Sequence, residues 1–263
     1  MSAHTTDSKS PAMVGMQAPL AIQSEADDSP FSAKDWLSYF QHNKNLRPLV
    51  HLPDLIEMEE HIRAPLIRSL QKFQIGETGE GKHLKKFAKR IGDQDYIQCI
   101  DLFIREEQAH GQVLAEVIRS LDGTLITWHW SDLVFILLRR MLGLKTEIFI
   151  LLIAEVVGKC FYKAVADKVQ DERLREIFSL IVLDEIAHLS FHSQFLFTQL
   201  LSKTFIKKAL VHYFWSLIFY TACFVFILDH RKTLNALGVT AAEFVERCSR
   251  EFNRSAVAVF AEA

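Results

Sequence analysis

The sequence predicts an all-α protein: a four-helix bundle with extra helices at its N-terminal and C-terminal ends. Three observations point there. The first is a repeated motif, Glu106-Glu107-Gln108-Ala109-His110 and Asp184-Glu185-Ile186-Ala187-His188. Positions i and i+3 share a helix face, so Glu107 goes with His110 and Glu185 with His188. The second is that another glutamate, Glu77 or Glu155, stands 30 residues before each motif glutamate. The midpoints of those intervals fall at Gly92-Asp93 and Gln170-Asp171, both suited to turns. Residues equidistant from the turn of an antiparallel hairpin lie at the same height, so each hairpin levels one Glu with one Glu-x-x-His. The third is the apolar stripe Ile97, Ile100, Ile104, Val113, Leu114, Val117 and Ile118, which recurs near the helical period.

In chain order, residues 1–30 are rich in Ser, Thr, Asp, Pro and Ala without a periodic apolar face, and read as a disordered tail. Residues 31–41, with Trp36, Leu37, Tyr39 and Phe40, suit a short amphipathic helix capping the bundle. Pro48 and Pro53 break the next stretch, and residues 54–62 are open to another short helix before Ala64-Pro65. A proline can start a helix, so the first long helix is expected over about 65–90. It contains Gly76, Gly79 and Gly81 around Glu77 and Glu80. Each glycine costs about 1 kcal/mol relative to alanine in a helix interior. Either the backbones approach closely there or the helix breaks. Glu80 rivals Glu77, because Glu80 and His83 are themselves one turn apart; the equal 30-residue spacing favours Glu77. Glu80 and His83 then stand beside the site or on the surface.

The second helix runs from Asp93 to Leu121, where Asp122-Gly123 stops it. Glu107 and His110 lie inside its apolar stripe, and buried polar groups need partners. Residues 124–145 are too many for a simple loop, and 131–141 suit a crossing helix. The third helix is expected to start near Thr146. Its stretch 148–157 has Glu155 as the sole charge, and an isolated buried carboxylate must be neutralised or paired. The fourth, about 172–200, carries Glu185 and His188, with His192 one turn further on the same face.

A fifth helix, about 205–230, contains 20 residues, 209–228, without Asp, Glu, Lys or Arg. At 1.5 Å per residue they extend about 30 Å, enough for a bilayer, and a helix packed over the bundle reads the same way. Arg139-Arg140 cuts the crossing segment and Glu155 interrupts the third helix, so this is the one such run. The expectation is a helix covering the apolar mouth of the site, in a protein that is soluble or peripherally attached to a membrane. A final helix over about 240–260 carries Phe244, Val245, Phe252 and Val257, patterned to pack on something.

Two such hairpins together supply four Glu and two His, the ligand set of a di-metal carboxylate centre in a four-helix bundle. Over residues 65–203 the chain resembles the ferritin-like non-haem di-iron carboxylate superfamily. The resemblance implies Glu77, Glu107, His110, Glu155, Glu185 and His188 as ligands to two iron ions, with manganese open at either position and dioxygen as co-substrate. Asp184 matches the Asp-Glu-x-x-His form of the superfamily, where the Asp orients a ligand imidazole; its counterpart is Glu106. His192 and Glu80 are further candidates for a place beside the ligands.

Within the superfamily, Leu114 stands where a ribonucleotide reductase small subunit would carry its radical Tyr. Ile181 stands where the nitro-forming arylamine oxygenases add a His. Rubrerythrin's cysteine-rich module is missing, and ferritin shells use shorter, more polar chains. What remains is an oxygenase or oxidase acting on an apolar small molecule with an electron donor. The alternatives are an iron-handling protein and a metal-free helical interaction module.

The 263 residues suit one large helical core, with a homodimer also open, and the formal net charge of −2 gives no case for nucleic acid. No glycine-rich phosphate loop is present. Cys99, Cys160, Cys223 and Cys248 form no C-x-x-C pair, which excludes a zinc ribbon or rubredoxin-type iron centre. Isolated thiols suit a reducing compartment; with no secretory signal visible, the expected location is cytoplasmic, with membrane association open.

Overall fold

The computed structural model describes residues 31–46, 52–129 and 144–261, and every regular element among them is a helix. The expected tail at 1–30, Pro48 and the expected crossing helix at 131–141 lie outside the described residues.

Helix α1 (Ala33–Leu46) is opened by Ser32 and Asp35, which exchange hydrogen bonds across its first turn. Trp36, Phe40 and Asn43 are buried at i, i+4 and i+7, so one face of α1 lies against the bundle. Residues 54–59 form no helix. They are held instead by Ile56 N–H donating to Ser120 O at 2.6 Å and Ser120 Oγ donating to Pro53 O at 2.8 Å. Helix α2 (Glu60–Glu77) therefore begins before Pro65 and runs through it. The proline forgoes one helical hydrogen bond, and the face around it (Leu66, Ser69 and Leu70) is buried.

The continuous helix expected over 65–90 is two helices. Thr78 closes α2, its Oγ1 and backbone N–H both donating to Ile75 O. After Gly81, α3 (Lys82–Ile91) begins. Gly81 has φ +58°, and a Cβ there would lie 2.3 Å from Ile104 Cδ1, so both conformation and space demand glycine. The glycine cluster thus marks a break.

The expected turns hold. Gly92 ends α3 at φ 80°, and Asp93 caps α4 (Gln94–Ser120) by accepting from Tyr96 N–H. Helix α5 (Leu144–Lys168) starts two residues before Thr146. Asp171 caps α6 (Glu172–Leu200), accepting from Arg173 and Leu174 N–H. Beyond it lie α7 (Phe205–Ala236) and α8 (Ala241–Phe260), the latter capped by Thr240.

Helix α4 packs on α2 and α6, and α5 packs on α6. Phe73 of α2 stacks on Phe161 of α5 at 4.7 Å, which closes the ring of four. Helix α1 lies on α4, and its Trp36 and Phe40 meet Phe191 of α6. Helix α8 packs against α5, α6 and α7. Phe244 and Phe252 are buried as the pattern predicts, Phe252 stacking on Phe219 of α7 at 4.1 Å. Val257 differs: it faces outward at 75% exposure, because it falls off the stripe that meets α7.

Helix α7 is long and apolar enough to cross a membrane, with a mean hydropathy of 1.8 over 18 residues of which 17% are buried. Its inner face is anchored. Trp215 Nε1–H donates to Phe149 O at 2.9 Å, and Thr233 Oγ1 meets Ser69 Oγ at 2.6 Å and donates to Pro65 O at 2.7 Å.

Candidate metal centre

Four helices converge on one point. Helix α2 delivers Glu77 as its last residue, α4 delivers Glu107 and His110, α5 delivers Glu155, and α6 delivers Glu185 and His188. They form two groups, Glu107, Glu155, Glu185, His188 and Glu77, Glu107, His110, in each of which one ligand atom per residue lies within 4.8 Å of the others. Glu107 belongs to both. His188 Nδ1 lies 3.1 Å from Glu107 Oε1 and 3.7 Å from both Glu155 Oε2 and Glu185 Oε2. His110 Nδ1 lies 3.6 Å from Glu107 Oε1 and from Glu185 Oε1. His110, Glu155, Glu185 and His188 are buried, and Glu77 and Glu107 are partly buried.

The far side of each imidazole is engaged. His110 Nε2–H donates to Asp184 Oδ2 at 3.0 Å, and His188 Nε2–H donates to Glu106 Oε2 at 3.0 Å. The partners cross over: each motif's preceding acid serves the other motif's histidine. That bond fixes the tautomer with the Nδ1 lone pair facing inward, which metal-bound histidine requires. In the interior, His110 Nδ1, His188 Nδ1, Glu107 Oε1 and Glu185 Oε2 are buried and make no hydrogen bond. Buried polar atoms without partners are costly; here four of them point at a common centre. This cluster can hold a metal ion.

No protein-family model matches the chain, and no curated protein or solved structure matches it either.

The electrostatics without a cation are strained. Burial, then the charge of Glu107, pushes Glu77 well above the carboxylate range. Burial and the charge of Glu155 raise Glu107 and Glu185 as well. Burial also opposes the charge on Glu155, but the closeness of Glu185 and His188 outweighs it and holds Glu155 down at about 2. Burial disfavours the His188 imidazolium; the hydrogen bond to Glu106 and the closeness of the Glu107, Glu155 and Glu185 carboxylates outweigh that. They raise its pKa well above the ordinary value when no cation takes up the Nδ1 lone pair. Four carboxylates this close cannot all ionise alone, and a divalent cation resolves the conflict.

Of the other sequence candidates, Asp184 is buried against His110. Of the two places open to Glu80, beside the site or on the surface, it takes the surface. It lies exposed in the break after α2 and pairs with Lys82, because the helix that would have turned it inward has already ended. His83 is also exposed. His192 is fully buried, edge-on to Phe103 at 4.7 Å, and outside both ligand groups; its charge favours ionised Glu155.

Sequence reasoning missed Asn43 and Tyr162. Asn43 Nδ2 donates to Glu106 Oε1 at 2.9 Å and to Asp184 Oδ1 at 3.0 Å, tying the two orienting carboxylates together. The signal was present, since a polar residue sits two turns after Trp36 on the buried stripe of α1. Tyr162 Oη–H donates to Glu77 Oε1 at 2.7 Å, and it lies seven residues after Glu155 on the same face of α5. The close approach expected near Glu77 comes from the opposite helix. A Cβ on Gly111 would lie 3.0 Å from Thr78 Cγ2 and 3.3 Å from Glu77 Cβ, so glycine lets α4 reach the end of α2.

Proposed function

We propose that the chain is a ferritin-like di-iron carboxylate oxygenase or oxidase, which uses dioxygen and an external electron donor to oxidise an apolar small molecule. Manganese can stand in for iron at either position. Glu107's membership in both ligand groups carries this reading: a carboxylate shared between two clusters of Glu and His suits two adjacent cations. Mixed carboxylate and imidazole donors suit iron and manganese. When bound, the metal pair supplies the electrons that reduce dioxygen, and six side chains shared by two ions leave positions for it.

The chain's own residues prepare that chemistry. Asp184 and Glu106 hold the two imidazoles with Nδ1 inward. Tyr162 holds one oxygen of Glu77 by donating its hydroxyl hydrogen, which leaves the other oxygen to face the cluster. Phe40 and Phe103 pack on His188, with ring centroids at 6.4 and 4.7 Å, and exclude water on that side. This aromatic surround favours an apolar substrate over an iron-storage role.

The test is anaerobic loading with ferrous iron, followed by an oxygen pulse in the presence of a reductant and a panel of apolar compounds. About two metal ions per chain and compound-dependent oxygen uptake are expected. Glu77→Ala should lose at least one metal and the oxygen uptake, whereas Glu80→Ala should retain both. A chain that takes up no transition metal refutes the reading outright. Uptake tied only to iron oxidation, whatever compound is added, would establish the iron-handling alternative.

A further inference from the structure

We propose that the outward face of α7 docks on an anionic phospholipid surface, with the helix lying in the plane of the membrane. Its large exposed side chains include Leu210, Tyr213, Leu217, Tyr220, Phe224 and Leu228, at spacings of three and four residues. They form one straight apolar stripe along a helix of 32 residues. Monomeric soluble proteins rarely expose a continuous apolar patch this long, and a helix whose uncovered face carries aromatic and aliphatic side chains is suited to the headgroup boundary.

Charge selects the occupant. The chain carries a net −2, yet α7 holds Lys207, Lys208, Arg231 and Lys232 against a single acid, Asp229. Asp229 is taken up by Lys72 at 2.8 Å. Cations therefore sit at both ends of an uncharged apolar stripe. At the C-terminal end, Arg68 and Lys232 border a groove of about 260 Å³ together with Leu228 and the Lys72–Asp229 pair. That places cations where lipid phosphates lie beside an apolar side chain that enters the acyl boundary, and such basic groups are attracted to anionic leaflets.

The same charges disfavour a second copy. A parallel pair of α7 helices sets Lys207 and Lys208 against their own equivalents, and an antiparallel pair sets them against Arg231 and Lys232. Both arrangements bring like charges together. A span is disfavoured by the inner face. Trp215, Phe219, Thr233 and Leu234 are buried against the bundle and α8, and inserting the helix would strip those contacts.

This inference does not depend on the metal centre. It is tested with the full chain by sedimentation with phosphatidylcholine vesicles, with and without phosphatidylglycerol. Binding is expected on the anionic vesicles and should weaken with salt. Leu217→Ser/Tyr220→Ser/Phe224→Ser should weaken it at least tenfold at unchanged helix content, and so should Lys207→Glu/Lys232→Glu, which leaves the apolar stripe intact. Failure to sediment with either vesicle overturns the proposal. So does a dimer in sedimentation velocity that the triple variant dissolves, or a C-terminus that externally added protease cannot reach on the vesicles.

Discussion

Asn43 is the residue through which the two halves of the centre are coupled. Its amide donates one hydrogen to Glu106 and the other to Asp184, and those carboxylates orient His188 and His110 in turn. Groups that orient metal ligands are typically worth 10–100-fold in affinity. Glu106→Ala and Asp184→Ala should each weaken ferrous or manganous binding by about that much in a calorimetric titration. Asn43→Ala should weaken it by roughly tenfold or less, since both carboxylates remain but lose a donor. Asn43→Asp should be worse than Asn43→Ala, because it sets a third buried acid beside two others. Unchanged affinity in all of these would mean that the imidazoles are positioned by packing alone. Four of the six ligand candidates were legible because each Glu and His pair lies within one helix, where i and i+3 have a fixed geometry. Glu77 and Glu155 were legible because they stand 30 residues before the motif glutamates, across a turn. Asn43 reaches the site from α1, outside the repeated spacing, and Tyr162, although two turns after Glu155 on the same face of α5, meets Glu77 only because α5 packs beside α2.

Between elements, the seam of α2 and α7 is a buried polar network. His230 Nδ1 meets Ser69 Oγ at 2.8 Å, Ser69 meets Thr233, and His230 stacks on Phe226 at 4.1 Å. Burial first, then the charge of Lys72, lowers His230 from its ordinary 6.5 to about 3, against an opposing pull from Asp229. A depressed folded-state value means that the stability contributed by neutral His230 is fully present above about pH 6.5. It is lost progressively as pH falls from there toward 3. At pH 5 the deficit is about 2 kcal/mol, at roughly 1.4 kcal/mol per pH unit. His230→Gln should therefore show a smaller fall in Tm than the parent between pH 7 and pH 5, although its Tm at pH 7 is lower. Equal falls in both proteins would remove His230 from the acid sensitivity. The break after Glu77 belongs to this scale too. The glycines announced an irregularity, but only the packing of Gly81 against Ile104 and of Gly111 against Thr78 decided that the helix stops there.

For the whole molecule, a centre that gathers carboxylates from α2, α4, α5 and α6 makes metal binding part of the folding free energy. A ligand bound only by the folded chain at 100 times its Kd adds about 2.7 kcal/mol. For a fold of this size that corresponds to a Tm increase of roughly 5–10 °C. Differential scanning calorimetry with and without manganous ion checks it, and a Tm indifferent to metal would place the cluster outside the folding equilibrium. The sequence by itself determined the helical class, the turns at Gly92-Asp93 and Asp171, and the six side chains that meet. Helical period and equal spacing about a turn are properties of the chain alone. Only the tertiary structure decided that Asp184 serves His110 and Glu106 serves His188, that Glu80 faces solvent, and that one side of α7 is left uncovered. Those outcomes depend on how helices rotate and lean against one another, which is set by side chains distant in sequence packing in space.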